Sequence, residues 1–144
     1  MINSNNQSPN CHLVVAQKDL TVNKYVDSNA QLVVELYVRD LEASCAFYQA
    51  LGFQLHRKEE DFVELKWEDH LFFLEAVPDT PPPPSYPIGN IRIMVPNVDD
   101  YWALSQKMGL QVIRPLESRY YGLRDFTIAD PDELGLRFAT PLAP

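Results

Sequence analysis

The sequence predicts an α+β fold of two tandem βαβββ modules, which form a curved mixed sheet with a cleft. Residues 32–56 are repeated as residues 89–113, fifty-seven positions later and without a gap, with apolar residues over apolar residues. The hairpin sequence DFVELKWEDHLFFLEA, which starts at Asp61, can likewise be laid over DFTIADPDELGLRFAT, which starts at Asp125. A duplicated module places a pseudo-twofold axis, usually with a cleft, at its centre.

Each copy of the repeat has the pattern of a strand, a helix and a strand. Residues 31–38 are rich in β-branched and aromatic side chains, which favours a strand that is buried on both faces. Asp40 is placed to cap the helix that follows, and Gly52 to end it. The equivalent residues of the second copy are Asn97 and Gly109.

The chain of 144 residues is long enough for one domain with its own core and too short for two ordinary domains. Residues 1–30 are polar and predict an N-terminal arm in which only HLVVA, residues 12–16, favours a strand. The predicted domain covers residues 31–144. It comprises module one at 31–77, a proline-rich connector at 78–87 and module two at 88–140.

Composition argues against several classes of partner. Asp and Glu outnumber Lys and Arg by 20 to 12, for a net charge of −8, so binding to nucleic acid is not expected. No stretch approaches the roughly 20 apolar residues that span a bilayer, and the first residues lack the pattern of a signal peptide. We therefore expect a cytoplasmic protein without a membrane partner, in which Cys11 and Cys45 are reduced.

Three segments resemble the vicinal oxygen chelate superfamily, which includes glyoxalases, extradiol dioxygenases and bleomycin resistance proteins. They are VRDLEASCAFYQALGF, DFVELKWEDHLFFLEA and YGLRDFTIADPDELGLRF. The resemblance covers about residues 31–140 and is closest to the bleomycin resistance proteins. It implies the glyoxalase/bleomycin resistance/dihydroxybiphenyl dioxygenase fold. It also implies a homodimer, because the drug-binding relatives place their sites at a dimer interface.

The enzymes of that superfamily hold a divalent metal with up to four side chains. By resemblance, the four ligand positions fall at Val33, Phe73, Asn90 and Arg137. Valine and phenylalanine have no lone pairs to offer, an amide alone is a poor ligand, and an arginine brings positive charge to the place of a cation. We expect no metal and no other cofactor.

The sequence offers no further candidate for catalysis. His12, His56 and His70 are not spaced as metal ligands, and each is read as a surface histidine. Cys45 aligns with Trp102, which is expected to face the core, so Cys45 is interpreted as a packed helix residue. No catalytic residue is predicted.

Because successive side chains of a strand point to opposite faces, every second side chain of these strands is expected to face the cleft. Glu35 and Arg92 occupy equivalent places in the two copies, so they either neutralise each other or contact a ligand. The resemblance places Phe62, Tyr120 and Tyr121 where relatives present aromatic rings to a flat ligand. The predicted ligand-binding residues are Glu35, Tyr37, Phe62, Phe73, Glu75, Asn90, Arg92, Met94, Tyr121 and Arg137.

These features favour a protein that encloses a flat, partly aromatic small molecule without a metal, with antibiotic sequestration as one form of that function. The acidic chain attracts cationic drugs such as bleomycin, whereas Arg92 and Arg137 favour an anionic group facing Arg137. One alternative is a glyoxalase- or dioxygenase-like enzyme with an atypical or absent metal site, in which Glu35 or Glu75 acts as a lone general base. Another is a regulatory module with a vestigial cleft.

Overall fold

Two copies of the order strand, helix and three strands follow one another in the computed structural model, which describes residues 25–77 and 79–143. Module one contains β1 (Val34–Val38), α1 (Leu41–Ala50), β2 (Gln54–Lys58), β3 (Phe62–Trp67) and β4 (His70–Ala76). Module two contains β5 (Asn90–Met94), α2 (Val98–Lys107), β6 (Val112–Ser118), β7 (Leu123–Ala129) and β8 (Gly135–Pro141). The predicted tandem modules are confirmed.

Most of the predicted N-terminal arm, with the strand expected at residues 12–16, lies outside the described residues. The described residues before Val33 include a 3-10 turn at Ser28–Ala30, and the chain from Val33 onward forms one compact unit. The helices of the described part, α1 and α2, have 10 residues each, and neither is long and apolar enough to cross a membrane.

The strands form two mixed four-stranded sheets of identical topology, β1-β4-β3-β2 and β5-β8-β7-β6. In each sheet the first strand pairs in parallel with the last strand of its module, and the other pairs are antiparallel. The register repeats as well, because Glu35 lies opposite Phe73 and Arg92 lies opposite Arg137. Along the first and last strands of the two modules, equivalent residues of the duplication therefore occupy equivalent places on the two sheets.

Both helices begin and end at the predicted residues. The Asp40 carboxylate accepts a hydrogen bond from the Ala43 amide at 3.0 Å, and the Asn97 side chain accepts one from the Asp99 amide at 3.2 Å. Gly52, with φ of 112°, follows α1, and Gly109, with φ of 67°, follows α2. Residues with a side chain rarely adopt such positive φ values, so glycine allows each helix to end at a defined residue.

The hairpin of module two has one more residue than the hairpin of module one. Four residues separate Lys66 from its partner Leu71, whereas five separate Ala129 from its partner Gly135. The extra residue lies in the β7–β8 turn, so the ungapped match between the hairpins holds along β4 and β8 but is wrong by one residue along β3 and β7.

This shift changes the identity of one residue pair. Asp125 is the structural counterpart of Phe62 rather than of Asp61. Because neighbouring residues of a strand point to opposite faces, the shift moves the Asp125 carboxylate to the face of its sheet that Phe62 occupies in module one.

The helices cover one side of each sheet, and the apolar core lies there. Trp67 packs against Tyr101 at 5.9 Å and Phe138 at 6.3 Å between ring centroids, so residues of module one contact residues of module two on this side. Tyr48 adds a buried hydrogen bond from its hydroxyl to Asp130 at 2.6 Å. Cys45 is buried in the same core, as predicted, and burial raises the pKa of its thiol.

Candidate functional site

The side of each sheet that faces away from the helices carries the polar and aromatic residues. We call the open side of the module-one sheet the acidic face; its residues include Glu35, Tyr37, Phe62, Glu64, Phe73 and Glu75. We call the open side of the module-two sheet the arginine face; its residues include Asn90, Arg92, Met94, Arg114, Asp125, Thr127 and Arg137. Directly paired residues share a face, which fixes both sets.

Two carboxyl groups lie together on the acidic face. Glu35 on β1 and Glu75 on β4 lie on neighbouring strands, because Glu35 is opposite Phe73 and Tyr37 is opposite Glu75. Partial desolvation first, and then the nearby side chain of Glu75, raise the pKa of Glu35. A carboxylate close to Glu35 disfavours the charged form of Glu35.

Aromatic rings lie beside the carboxyl pair. Phe62 and Phe73 form an edge-to-face contact with ring centroids 5.2 Å apart. The guanidinium of Arg57 lies 5.4 Å from the centre of the Phe62 ring and donates a hydrogen bond to Glu64 at 2.8 Å. Tyr37, directly opposite Glu75, is 56% exposed. The acidic face therefore combines accessible ring surface with carboxyl groups.

Asp125 is the centre of a polar network on the arginine face. Its carboxylate is 1% exposed and accepts hydrogen bonds from Arg119 Nε at 2.9 Å, Arg137 Nη2 at 2.6 Å and the Tyr121 hydroxyl at 2.7 Å. Burial by itself raises the pKa of Asp125. The hydrogen bonds from Tyr121, Arg137 and Arg119 together outweigh burial, so the pKa lies below its ordinary value.

Arg137 is bound into this network rather than extended into solvent. A second Arg137 nitrogen, Nε, donates to Asp125 at 3.0 Å, and Nη2 also donates to the Tyr121 hydroxyl at 2.7 Å. The guanidinium lies 5.1 Å from the centre of the Tyr121 ring, in cation–π contact. The Arg137 guanidinium, which the sequence predicted to face an anionic group of the ligand, is therefore already paired with a carboxylate of the protein.

Two other arginines on this face have no such partner. Within residues 25–77 and 79–143, Arg92 and Arg114 form no ion pair, and both side chains are exposed. The neutralisation of Glu35 by Arg92, one of the two readings of the sequence, is thus not seen in the structure. Glu35 lies near Glu75 instead, on the neighbouring strand of its own sheet.

The residues at the four positions where the resemblance places metal ligands do not fit a divalent cation. Val33 precedes β1, Phe73 packs on another ring, and Asn90 begins β5. At the fourth position the Arg137 guanidinium is held by the Asp125 carboxylate. In the part of the chain that the structure describes, no three His, Cys, Asp or Glu side chains cluster as metal ligands.

The structure divides the sequence-predicted site residues into two groups. Glu35, Tyr37, Phe62, Phe73 and Glu75 lie on the acidic face, whereas Asn90, Arg92, Met94, Tyr121 and Arg137 lie on or beside the arginine face. The sequence reasoning missed Asp125, Arg119 and Thr127. A signal was present, because an aspartate inside the apolar strand sequence LRDFTIA needs buried cationic partners.

A cavity of about 460 Å³ lies between the β3–β4 hairpin and β5. Its walls are mostly apolar residues of the helix-facing side, among them Phe53, Trp67 and Ile93. Of the predicted ligand residues, Arg92 and Met94 line it. The cavity therefore borders the arginine face but is not enclosed by both faces.

Comparisons with known proteins agree with this architecture. A family model described as the glyoxalase/bleomycin resistance protein/dioxygenase superfamily matches residues 30–138. No curated protein matches the chain.

Several solved structures resemble the chain. A glyoxalase/bleomycin resistance protein/dioxygenase from Nocardioides has a TM-score of 0.67 at 18% identity, covering 90% of this chain and 92% of its own. A bleomycin-binding protein complexed with bleomycin has a TM-score of 0.60 at 20% identity, covering 76% and 97%. A lactoylglutathione lyase from Agrobacterium tumefaciens has a TM-score of 0.62 at 19% identity, covering 77% and 92%. At these identities the likeness shows the fold alone.

Proposed function

The chain belongs to the glyoxalase/bleomycin resistance protein/dioxygenase superfamily, and from this premise we propose that it binds a flat, partly aromatic small molecule without a metal. The observation that carries the proposal is the presence of accessible rings and unpaired charges on the open faces of both sheets. Tyr37 is 56% and Met94 41% exposed, and Arg92 has no ion-pair partner among the described residues. Folding gains little from such a surface, whereas ligand binding uses it.

We place the ligand in a cleft completed by a second copy of the chain. β1 and β5 are edge strands of their sheets. The acidic face carries negative charge from Glu35 and Glu75, and the arginine face carries positive charge from Arg92. An isologous dimer sets the acidic face of one copy against the arginine face of its partner twice. Light scattering at micromolar concentration tests this arrangement, and a species of only 16.5 kDa contradicts it.

Antibiotic sequestration is the form of this function that the family likeness favours. Sequestration requires burial and stacking of the ligand rather than chemistry on it, which agrees with Val33 and Phe73 at two of the positions where the resemblance places metal ligands. The structurally similar bleomycin-binding protein was solved with bleomycin, so bleomycin belongs in any first ligand screen.

Thermal-shift screening of flat aromatic compounds, bleomycin included, tests the binding function. A ligand that binds only the folded state raises the melting temperature, and the rise increases with the ratio of free ligand to Kd. Treatment with a chelator should leave each shift unchanged. The Tyr37→Ala variant should lose much of the shift, whereas Tyr86→Ala, which removes a 67% exposed ring in the connector, should keep it. Shifts that require an added metal contradict the proposal.

One observation favours an enzyme as the second candidate. The raised pKa of Glu35, caused by partial desolvation and by Glu75, suits a general base that removes a proton next to a carbonyl group. The test is proton exchange at that carbon, followed by NMR in deuterated water with α-hydroxyketone substrates. Exchange that is abolished in Glu35→Gln supports catalysis, and the absence of exchange by the wild-type protein refutes it.

A further inference from the structure

On the arginine face, we infer that a row of four side chains crossing all four strands forms a subsite for an oxyanion, that is, a carboxylate, sulfonate or phosphate group. The inference rests on the proposed binding function and specifies which part of the ligand this face receives. The row consists of Arg92, Arg137, Thr127 and Arg114.

The strand register aligns the row. Arg92 on β5 lies opposite Arg137 on β8, Arg137 lies opposite Thr127 on β7, and Thr127 lies opposite Arg114 on β6. Neighbouring strands are about 4.8 Å apart, so the row spans roughly 14 Å of the sheet. Directly opposed residues share a face, and the row therefore lines one side of the sheet.

The charge around the row is positive. Arg119 and Arg137 share the Asp125 carboxylate, and Arg119 also pairs with Glu117. Arg92 and Arg114 add two exposed guanidinium groups without ion-pair partners in the described residues. Like charges on one sheet face repel each other, so an anion between them relieves a cost that the free protein carries.

A buried hydroxyl lies between the two outer arginines. Thr127 is 3% exposed, and its Oγ1 atom has no hydrogen-bond partner in the described part of the chain. An unsatisfied buried polar group is costly and uncommon in native proteins. The hydroxyl can donate to an oxyanion once the side chains that cover it move aside, while Arg137 stays bonded to Asp125.

These features select an oxyanion that is carried on an aromatic ring system. A guanidinium matches the geometry of a carboxylate, sulfonate or phosphate with two parallel hydrogen bonds. The Tyr121 ring, 42% exposed and fixed by its bonds to Asp125 and Arg137, provides a surface for stacking beside the row.

Calorimetric titration of the full chain with naphthalene-2-sulfonate, 2-naphthoate, 2-naphthamide and 2-naphthylmethylammonium tests the subsite. The four probes share one ring system and differ in charge. We expect the two anions to bind roughly ten- to hundredfold more tightly than the amide, and the cation to bind most weakly. Raising the salt concentration should strongly weaken the binding of the two anions and have a smaller effect on the other probes.

Variants then locate the preference. Arg92→Gln and Arg114→Gln should each weaken the anions roughly three- to tenfold and leave 2-naphthamide unchanged. Arg124→Gln is the matched control, because Arg124 also lies on the module-two sheet but hydrogen-bonds to Asp99 at 2.9 Å. Thr127→Val should weaken the anions while leaving the free protein equally or more stable, because it removes an unpartnered hydroxyl.

Each outcome has one meaning. Equal affinity for anion and amide, with both arginine variants unaffected, overturns the subsite and leaves the proposed small-molecule binding intact. Preference for the cation overturns the subsite as well. Absence of binding by all four probes at millimolar concentration counts against both proposals. If Arg124→Gln removes the preference for anions, the anion site lies elsewhere and the proposed row is overturned.

Discussion

Replacing Asp125 with asparagine removes a buried negative charge that Arg119 and Arg137 share, and should strongly destabilise the protein. Breaking a buried ion pair from one side costs about 3–5 kcal/mol when the remaining charge is fully buried. Here the two arginine side chains keep 14% and 21% exposure, so water solvates them in part. We therefore expect a loss of about 2–4 kcal/mol in the free energy of unfolding.

The assay is urea unfolding at pH 7, followed by circular dichroism and analysed as a two-state transition. Asp99→Asn is the matched control, since Asp99 also bonds an arginine, at 2.9 Å to Arg124, but its side chain is 54% exposed. That exposed pair should contribute at most about 1 kcal/mol. A loss below about 0.5 kcal/mol for Asp125→Asn, or one equal to that of the control, would refute the assigned network.

The pH dependence supplies an independent check. The pKa of Asp125 is lowered in the folded state, so its contribution is fully present above the unfolded pKa of about 3.9 and disappears as the pH falls through the folded pKa. The difference in stability between wild type and Asp125→Asn should therefore be constant from pH 7 to about pH 5 and narrow below about pH 4. A difference that widens on acidification would reverse the assigned sign.

Three further outcomes follow from the packing and the metal positions. Gly135→Ala should lower the free energy of unfolding by about 1–3 kcal/mol, because a Cβ there would lie 2.8 Å from the Cβ of Asn90. The control is Gly89→Ala, where an added Cβ has nothing within 4 Å and should change stability by less than about 0.5 kcal/mol. Chemical denaturation compares the two variants. Tyr48→Phe should cost about 1–3 kcal/mol, since it removes the 2.6 Å hydrogen bond to buried Asp130, and a thermal melt unchanged from wild type would contradict this. Elemental analysis of the purified protein should find no stoichiometric divalent metal, and close to one zinc, iron, nickel or manganese per chain would show that metal binds despite these residues.

The duplication made the fold predictable. Two copies of one apolar pattern, each with a capping residue before its helix and a glycine after it, specify the same module twice, and Asp40 and Gly52 have those places in the structure. Alternation along the strands also placed Arg137 on the open side, because a side-chain period of two leaves no other choice once Phe138 is in the core.

The network around Asp125 was not predictable by the same route. The sequence alignment ran without a gap, but the β7–β8 turn holds one extra residue, and a shift of one position reverses the face of every residue on the strand. Pairing between charges depends on side-chain rotamers as well as on register. Glu35, which one reading of the sequence paired with Arg92, therefore lies beside Glu75 on its own sheet instead.

The most direct test of metal-free binding at the open faces is an NMR titration of isotopically labelled, chelator-treated protein with 2-naphthoate. We expect the largest chemical-shift changes at residues of the two faces, including Tyr37, Phe73, Arg92 and Tyr121, without any added metal. Shift changes confined to the helices, or changes that appear only after a divalent metal is added, would contradict the proposed site.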